Sequence, residues 1–373
     1  MENQKQLFQN ENVDYLQRQI ITYIGNKRAL LPLINEAISV ISRRTGKKRL
    51  ACLDLFSGSG IVARFLKKHS STIHTNDIEN YSSLTNSCYL KNSCEVDWNE
   101  LDEAFHLWNE KIKKNWRRGF IAELYAPLDD ENIKPSERVF YTRRNAEYLD
   151  TARAELEIFP EHIKTLLLAP LISRASIHAN TSGVFKGFYK SKNGIGQFGG
   201  SGKNALSRIT GEIKTEKPIL SNFYAESKVF QQDATTFFEK NGNYYDVVYI
   251  DPPYNQHPYG SNYFMLNLLC SYKKPEEISK ISGIPTNWNR SKFNKRQLAE
   301  ESLFKTIASC NSRFVLISYN SEGFIPHENL LKFIKKLGSV ELLQTQYNTF
   351  RGSRNLNDRS LHVTEFLYLL EKK

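Results

Sequence analysis

The segment from Tyr244 to Tyr254 reads YYDVVYIDPPY. Its last four residues join an acid, two prolines and an aromatic ring. Consecutive prolines remove two N–H donors and fix φ, so the backbone after Asp251 is stiff. A stiff loop can aim one carboxylate and one backbone carbonyl in set directions, and the flat ring of Tyr254 can stack on a planar ligand. The combination suits a primary amine on an aromatic base. Such an amine is a poor nucleophile, because its lone pair is delocalised into the ring. Asp251 and the Pro252 carbonyl can accept its two N–H bonds, which favours a pyramidal nitrogen with the lone pair aimed outward. An electrophile held in line with that lone pair is then placed for attack. An ordinary turn at a strand end is the alternative for these four residues.

A second constellation lies upstream. Gly58-Ser59-Gly60, followed by Ala63, satisfies G-x-G-x-x-[GA], and Asp77 comes 19 residues after Gly58. Glycines let a chain turn without a Cβ clash and approach a ligand closely, and an acid at that distance can accept from two ribose hydroxyls. The pattern suits a dinucleotide, or any other nucleoside-containing ligand. A glycine-rich turn with no ligand remains open at this point.

Both groups need strand ends to hold them. Residues 50–56 (LACLDLF) read as a buried strand, SGSG as a tight turn, IVARFLKKH as a helix and STIHTND as the next strand. That is the start of a parallel α/β sheet. Upstream, residues 20–42 open with a Gly-Asn turn and continue with helical spacing of Leu30, Leu33, Ile34, Ala37, Ile38 and Ile41. Strand signals resume at 227–233, 244–250 and 313–320, with a helix-like stretch at 296–310 and a last strand in HVTEFLYLLEK. Between them, residues 97–170 have helix-rich spacing. Residues 183–218 hold eight of the 19 glycines and seven Lys or Arg against two Glu, with Phe185, Phe188, Tyr189 and Phe198 interleaved among lysines. An α/β fold over 1–90 and 225–373, interrupted by an inserted recognition region over 91–224, accounts for this pattern.

Composition narrows the partners. The chain has 373 residues, 51 Lys or Arg against 40 Asp or Glu, and a net charge of +11. A polyanionic partner is expected. No apolar run approaches the ~20 residues that span a bilayer, and the polar opening MENQKQLFQNENVDYLQRQ has no signal-like apolar stretch. The five cysteines are odd in number and include no C-x-x-C pair, so reduced thiols in a cytoplasmic protein are expected. The eight histidines show no metal spacing, and no metal is expected.

YIGNKRALL (23–31), DLFSGSG (54–60), ND (76–77), QQD (231–233), DPPY (251–254) and VTEFLYLL (363–370), in this order, resemble the motifs of Dam-like, D12-class adenine-N6 DNA methyltransferases. The resemblance covers about 1–90 and 225–373 and is thin across 91–224. It implies a Rossmann-like S-adenosylmethionine-dependent methyltransferase fold with an inserted, mostly helical DNA-recognition domain. It also implies methyl transfer to adenine N6 in duplex DNA after base flipping, a cognate restriction endonuclease acting on the same site as a partner, and no membrane association. By the resemblance, Tyr23, Lys27, Phe56, Gly58, Gly60, Asp77 and Asp233 would hold the cofactor, while Asp251, Pro252, Pro253 and Tyr254 would hold the target base. Two motif positions depart from Dam: Tyr23 stands for the commoner Trp, and Asn26 for Gly. Outside the resemblance, the alternative for Lys27 is a solvated charge at a helix start and for Asp233 a helix cap, and Asp54 reads as a residue that orients the glycine loop.

Lys186, Lys190, Lys192 and Lys203 of the glycine-rich stretch are candidates for phosphate contact, which would make affinity fall with salt. A second DNA candidate is TNWNRSKFNKRQ (286–297), with Arg290 and Lys292 beside Asn residues able to read base edges. Competing functions are an RNA adenine-N6 methyltransferase, a nicotinamide oxidoreductase, and a DNA-binding module without catalysis. The oxidoreductase leaves DPPY unexplained. A cytosine-N4 enzyme of related chemistry would usually carry Ser in place of Asp251.

Overall fold

Tyr245–Ile250 (β4) is buried at every position, as expected of a parallel strand covered on both faces. The structure is a computed structural model describing residues 10–200, 202–203, 205–348 and 362–373; the first nine residues of the polar opening segment lie outside the described residues. Among them, β4 is the centre of a seven-stranded sheet with order β3-β2-β1-β4-β5-β7-β6. The other strands are Leu50–Asp54 (β1), Ser70–Asn76 (β2), Glu226–Phe230 (β3), Ser312–Asn320 (β5), Gly338–Asn348 (β6) and His362–Lys372 (β7). β1 to β5 run parallel, and β7 is antiparallel to both β5 and β6. This is the expected Rossmann-like methyltransferase arrangement. The strand expected at 50–56 ends at Asp54 and the one expected at 227–233 spans Glu226–Phe230, while the expected C-terminal strand is present from His362 to Lys372. β6 and the helix His327–Leu337 before it carry no counterpart in the sequence reading.

Strand order reverses between β1 and β4, and the loops leaving their carboxyl ends diverge to opposite sides. Open α/β sheets bind ligands in that crevice. The register Asp54↔Tyr249 brings the two strand ends level, so SGSG and DPPY emerge as neighbours. Successive residues of these strands alternate between faces. Cys52, Val247 and Tyr249 pack into one apolar cluster, and Leu53, Val248 and Ile250 into the other.

The expected helix after the Gly-Asn turn runs from Leu31 to Thr45. It buries Leu31, Ile34, Ala37, Ile38 and Ile41 on one face and ends at Gly46 with φ 69°. Helices Trp98–Lys114, Arg143–Glu155 and Glu161–Ile177 fill the middle of the chain. Their Trp108, Leu149 and Leu167 belong to the same cluster as Cys52 and Val247, so the apolar core continues unbroken from the sheet into this region. No helix among the described residues is long and apolar enough to cross a membrane.

Candidate active site

At the carboxyl ends of β1 and β4 lies a cleft of about 910 Å³. Its lining includes Phe56, Gly58, Asp77, Asp233, Asp251 and Pro253, together with Tyr23 and Lys27 from the N-terminal segment. Two glycines fix the loop after β1. Gly58 has φ +48°, and a Cβ on it would come within 2.9 Å of the Tyr23 ring. Gly60 has φ +73°, and a Cβ there would come within 2.5 Å of Asn86 Oδ1. Both therefore need the left-handed freedom and small size of glycine. Gly60 starts the helix Ile61–Lys67 and is not part of the cleft lining.

Tyr23 reaches this loop as part of an aromatic stack. Its ring lies 5.0 Å from Tyr259 and 4.8 Å from Tyr263, nearly parallel to both. The Ile24 N–H donates to the Tyr263 hydroxyl at 2.7 Å, and the Tyr259 hydroxyl donates to the Ile24 carbonyl at 3.2 Å. The segment after DPPY thus clamps the N-terminal motif against the glycine loop.

Carboxylates crowd the cleft. Asp77 Oδ2 accepts from the Gly58 N–H at 2.8 Å and Oδ1 from the Glu79 N–H at 2.9 Å. Burial raises its pKa against those bonds. Asp233 also lines the cleft, and it caps Ala234–Thr236 by accepting from Thr235 N and Oγ1 at 2.9 and 2.8 Å. Asp54 is 1% exposed. Neither of its oxygens has a partner at good hydrogen-bond geometry, although the Ala63 and Phe56 N–H groups lie near. Burial, with the charges of Asp251 and Asp77, pushes its carboxyl well above the usual range. Burial also pushes Glu79 up to about 7, against hydrogen bonds from Asn267 and Asn289.

Lys27 is 3% exposed, which excludes the solvated-charge alternative. Its ammonium lies 3.1 Å from Asp251 Oδ1 and 3.4 Å from Glu365 Oε1. Burial works against its charge, but the two carboxylates outweigh that and hold its pKa well above the ordinary value. Burial pushes Asp251 up to about 7, with Lys27 drawing it down and Glu365 adding to the rise. Tyr254 stands beside this cluster, with the Lys27 ammonium 5.4 Å from its ring centre and Tyr319 edge-on at 6.2 Å. The Tyr254 carbonyl accepts from the Phe324 N–H at 3.0 Å, and Pro252 is buried.

The basic segment 286–297 does more than the sequence indicated. Asn289, Arg290, Ser291, Phe293 and Asn294 form one wall of the cleft, with the Phe293 ring edge-on to Phe56 at 5.0 Å. Asn289 Nδ2 donates to the Ile78 carbonyl at 3.0 Å and to Glu79 Oε2 at 3.3 Å. Arg290 stacks over Trp288 at 4.3 Å, and Lys292 is exposed. The other basic candidates lie apart from the cleft lining. Lys186, Lys190, Lys192 and Lys203 are exposed on the glycine-rich stretch. That stretch docks on the loop after DPPY: the Phe185 N–H donates to the Asn262 carbonyl at 2.7 Å, and Lys186 Nζ lies 3.4 Å from His257 Nδ1.

Sequence reasoning passed over Glu79, Tyr259, Asn289 and Glu365. Glu79 had a signal, since it stands two residues beyond Asp77. Glu365 had one as well: it is an acid beside the apolar run FLYLL. Tyr259 had none, because it owes its place to contacts made far along the chain, and Asn289 belonged to a segment singled out for DNA contact rather than for the cleft.

Five carboxylates (Asp54, Asp77, Glu79, Asp233 and Asp251) line this cleft against Lys27 and Arg290, in a protein of net charge +11. An acidic cleft with a glycine-lined floor suits a ligand bearing positive charge. A family model for D12 class N6 adenine-specific DNA methyltransferases matches residues 23–332. The Type II methyltransferase M.NlaIII of Neisseria lactamica is 27% identical over 361 residues, covering 94% of this chain and 99% of that protein. The Type II methyltransferase M.CviAII of Paramecium bursaria Chlorella virus 1 is also 27% identical over 361 residues, covering 94% of this chain and 98% of that protein. The Type II methyltransferase M.FokI of Planomicrobium okeanokoites is 26% identical over 365 residues, again 94% of this chain but 52% of the relative, so the chain spans about half of that protein.

Proposed function

Because the chain belongs to the D12 class of N6 adenine-specific DNA methyltransferases, we propose that S-adenosylmethionine is its methyl donor and that Asp251 to Tyr254 hold the target adenine. The observation that carries this reading is the meeting of two loops at one reversal of strand order. Asp251 and Pro253 of the DPPY segment and Phe56 to Ser59 of the loop after β1 line the same acidic cleft, while Pro252 and Tyr254 stand behind that lining. The donor set fits S-adenosylmethionine. The acids Asp54, Asp77 and Asp251, raised in pKa by burial, would be drawn into their charged form by a bound cation, and Gly58, where a Cβ would strike the Tyr23 ring, keeps the loop closed on that ring. Asp77 and Asp233 would hold the nucleoside part, and Tyr23, Lys27, Phe56, Gly58 and Gly60 would shape the remainder.

When bound, S-adenosylmethionine supplies an electrophilic methyl group on a sulfonium centre. Asp251 accepts an N–H bond from the adenine amino group, and the Pro252 carbonyl accepts the other. Tyr254 stacks on the base. Extrusion of that base from a duplex costs a few kcal/mol, which the stacking offsets in part. Residues 91–224 serve as the recognition region, with Lys186, Lys190, Lys192, Lys203, Arg290 and Lys292 meeting phosphates. The enzyme acts in the cytoplasm and shields its site from a nuclease of the same specificity.

The experiment is direct. Protein and S-adenosylmethionine labelled in the methyl group are incubated with unmethylated duplex DNA, and the product is digested to nucleosides. Label in N6-methyladenine is expected. Label in cytosine, or label passing only to RNA of the same sequence, contradicts the reading.

A further inference from the structure

Glu365 sits in β7, opposite Asn320 of β5 and Thr345 of β6. It is 0% exposed, a costly place for an acid unless a cation shares the burial. Its two oxygens lie 3.4 and 3.5 Å from Lys27 Nζ, and the same ammonium lies 3.1 Å from Asp251 Oδ1. Three charged groups from three distant parts of the chain thus meet, with one cation between two acids. A lone Lys27–Asp251 pair would satisfy the lysine and spend the acceptor capacity of Asp251 on it. With Glu365 present, the Lys27 ammonium is shared between the two acids, 3.1 Å from Asp251 Oδ1 and 3.4 and 3.5 Å from the Glu365 oxygens, and the contact at Asp251 Oδ1 falls short of hydrogen-bond geometry.

We propose that Glu365 is a positioning residue for methyl transfer: by sharing Lys27, it leaves Asp251 with acceptor capacity free for the adenine amino group. This rests on the functional reading above, in which Asp251 receives the base. The groups facing Asp251 are Lys27, Glu365, Asp54, Tyr249, Tyr254 and Tyr259. Burial pushes all three tyrosines up, and they stay neutral over the working range. Lys27 is the cation of the set. Glu365 therefore works against Lys27 at Asp251, and removing either acts with opposite sign.

The test is the pH dependence of single-turnover methyl transfer to duplex DNA, which isolates the chemical step from product release. Glu365→Gln removes a like charge, so the acid limb moves to lower pH by about 1 unit. Lys27→Gln removes the attraction and moves it upward. Glu365→Asp keeps the charge on a shorter stem and stays near the wild-type position. A purely structural Glu365 would lower the rate at every pH without moving the limb, and that result overturns the proposal. So do Glu365→Gln and Lys27→Gln limbs that shift in the same direction, or a Glu365→Asp limb displaced as far as that of Glu365→Gln. If Glu365→Gln fails to fold, an unmoved Lys27→Gln limb overturns it as well. A wild-type protein that methylates no duplex DNA sinks the functional reading instead, so the two failures are distinct.

Discussion

The cleft at the ends of β1 and β4 and the glycine-rich stretch after residue 183 are built on opposite terms. In the cleft, charged side chains are buried and tied to one another: Lys27 is 3% exposed between Asp251 and Glu365. In the stretch, Lys186, Lys190 and Lys192 are exposed, and the backbone is held by local bonds such as the Lys190–Gly196 bridge. Buried charge interacts strongly and at fixed geometry, whereas exposed charge is screened and tolerant of position. On the proposed function, the difference separates two tasks. Chemistry at one nitrogen atom needs placement to a fraction of an ångström. Attraction to a uniform polyanion needs number and sign.

That contrast predicts unequal costs of substitution. Asp251→Ala should lower the methyl-transfer rate by roughly 10²–10³-fold, with DNA affinity retained. A rate within a few-fold of wild type would erase the distinction. Gly58→Ala comes next. It forces a side chain into a left-handed backbone at φ +48°, 2.9 Å from the Tyr23 ring. Strain of ~1–2 kcal/mol should weaken donor binding on the order of tenfold by calorimetry, with DNA affinity unchanged.

The smallest effect per residue belongs to the exposed lysines. Replacing Lys186, Lys190 and Lys192 together by Gln should reduce the slope of log affinity for DNA against log salt by about 2–3, and leave donor affinity alone. A change in donor affinity would show that the stretch acts on the cleft through His257 and Asn262, and the two regions would then be one device.

The sequence made the placement of the candidate site legible where residue type alone decides it. Asp251 follows an apolar run that can only be a buried strand. Gly58 and Gly60 occupy positions that a Cβ would spoil. Asp77 comes one residue beyond the end of β2. Those constraints are local. What was not legible depends on topology. Glu365 reaches Lys27 across 338 residues of chain, and its partner becomes evident only once β7 is laid beside β5. Residues 286–297 carried a basic composition that pointed to DNA, yet Asn289 and Phe293 close the cleft wall through contacts with Glu79 and Phe56. Composition reports the exposed side of such a segment, and Arg290 and Lys292 supply it. The buried side is set by what the fold brings up against it. β6 went unseen for a related reason: its sequence GSVELLQTQYN mixes polar and apolar residues, as an edge strand covered on one side does.

The central claim is that one cleft joins the methyl donor to the base-holding ledge. A crystal structure with S-adenosylhomocysteine bound tests it most directly. The account predicts the nucleoside between the Asp77 and Asp233 carboxylates and the thioether sulfur facing Asp251. Product seated elsewhere, or an Asp251 side chain turned from it into the protein interior, would contradict the account.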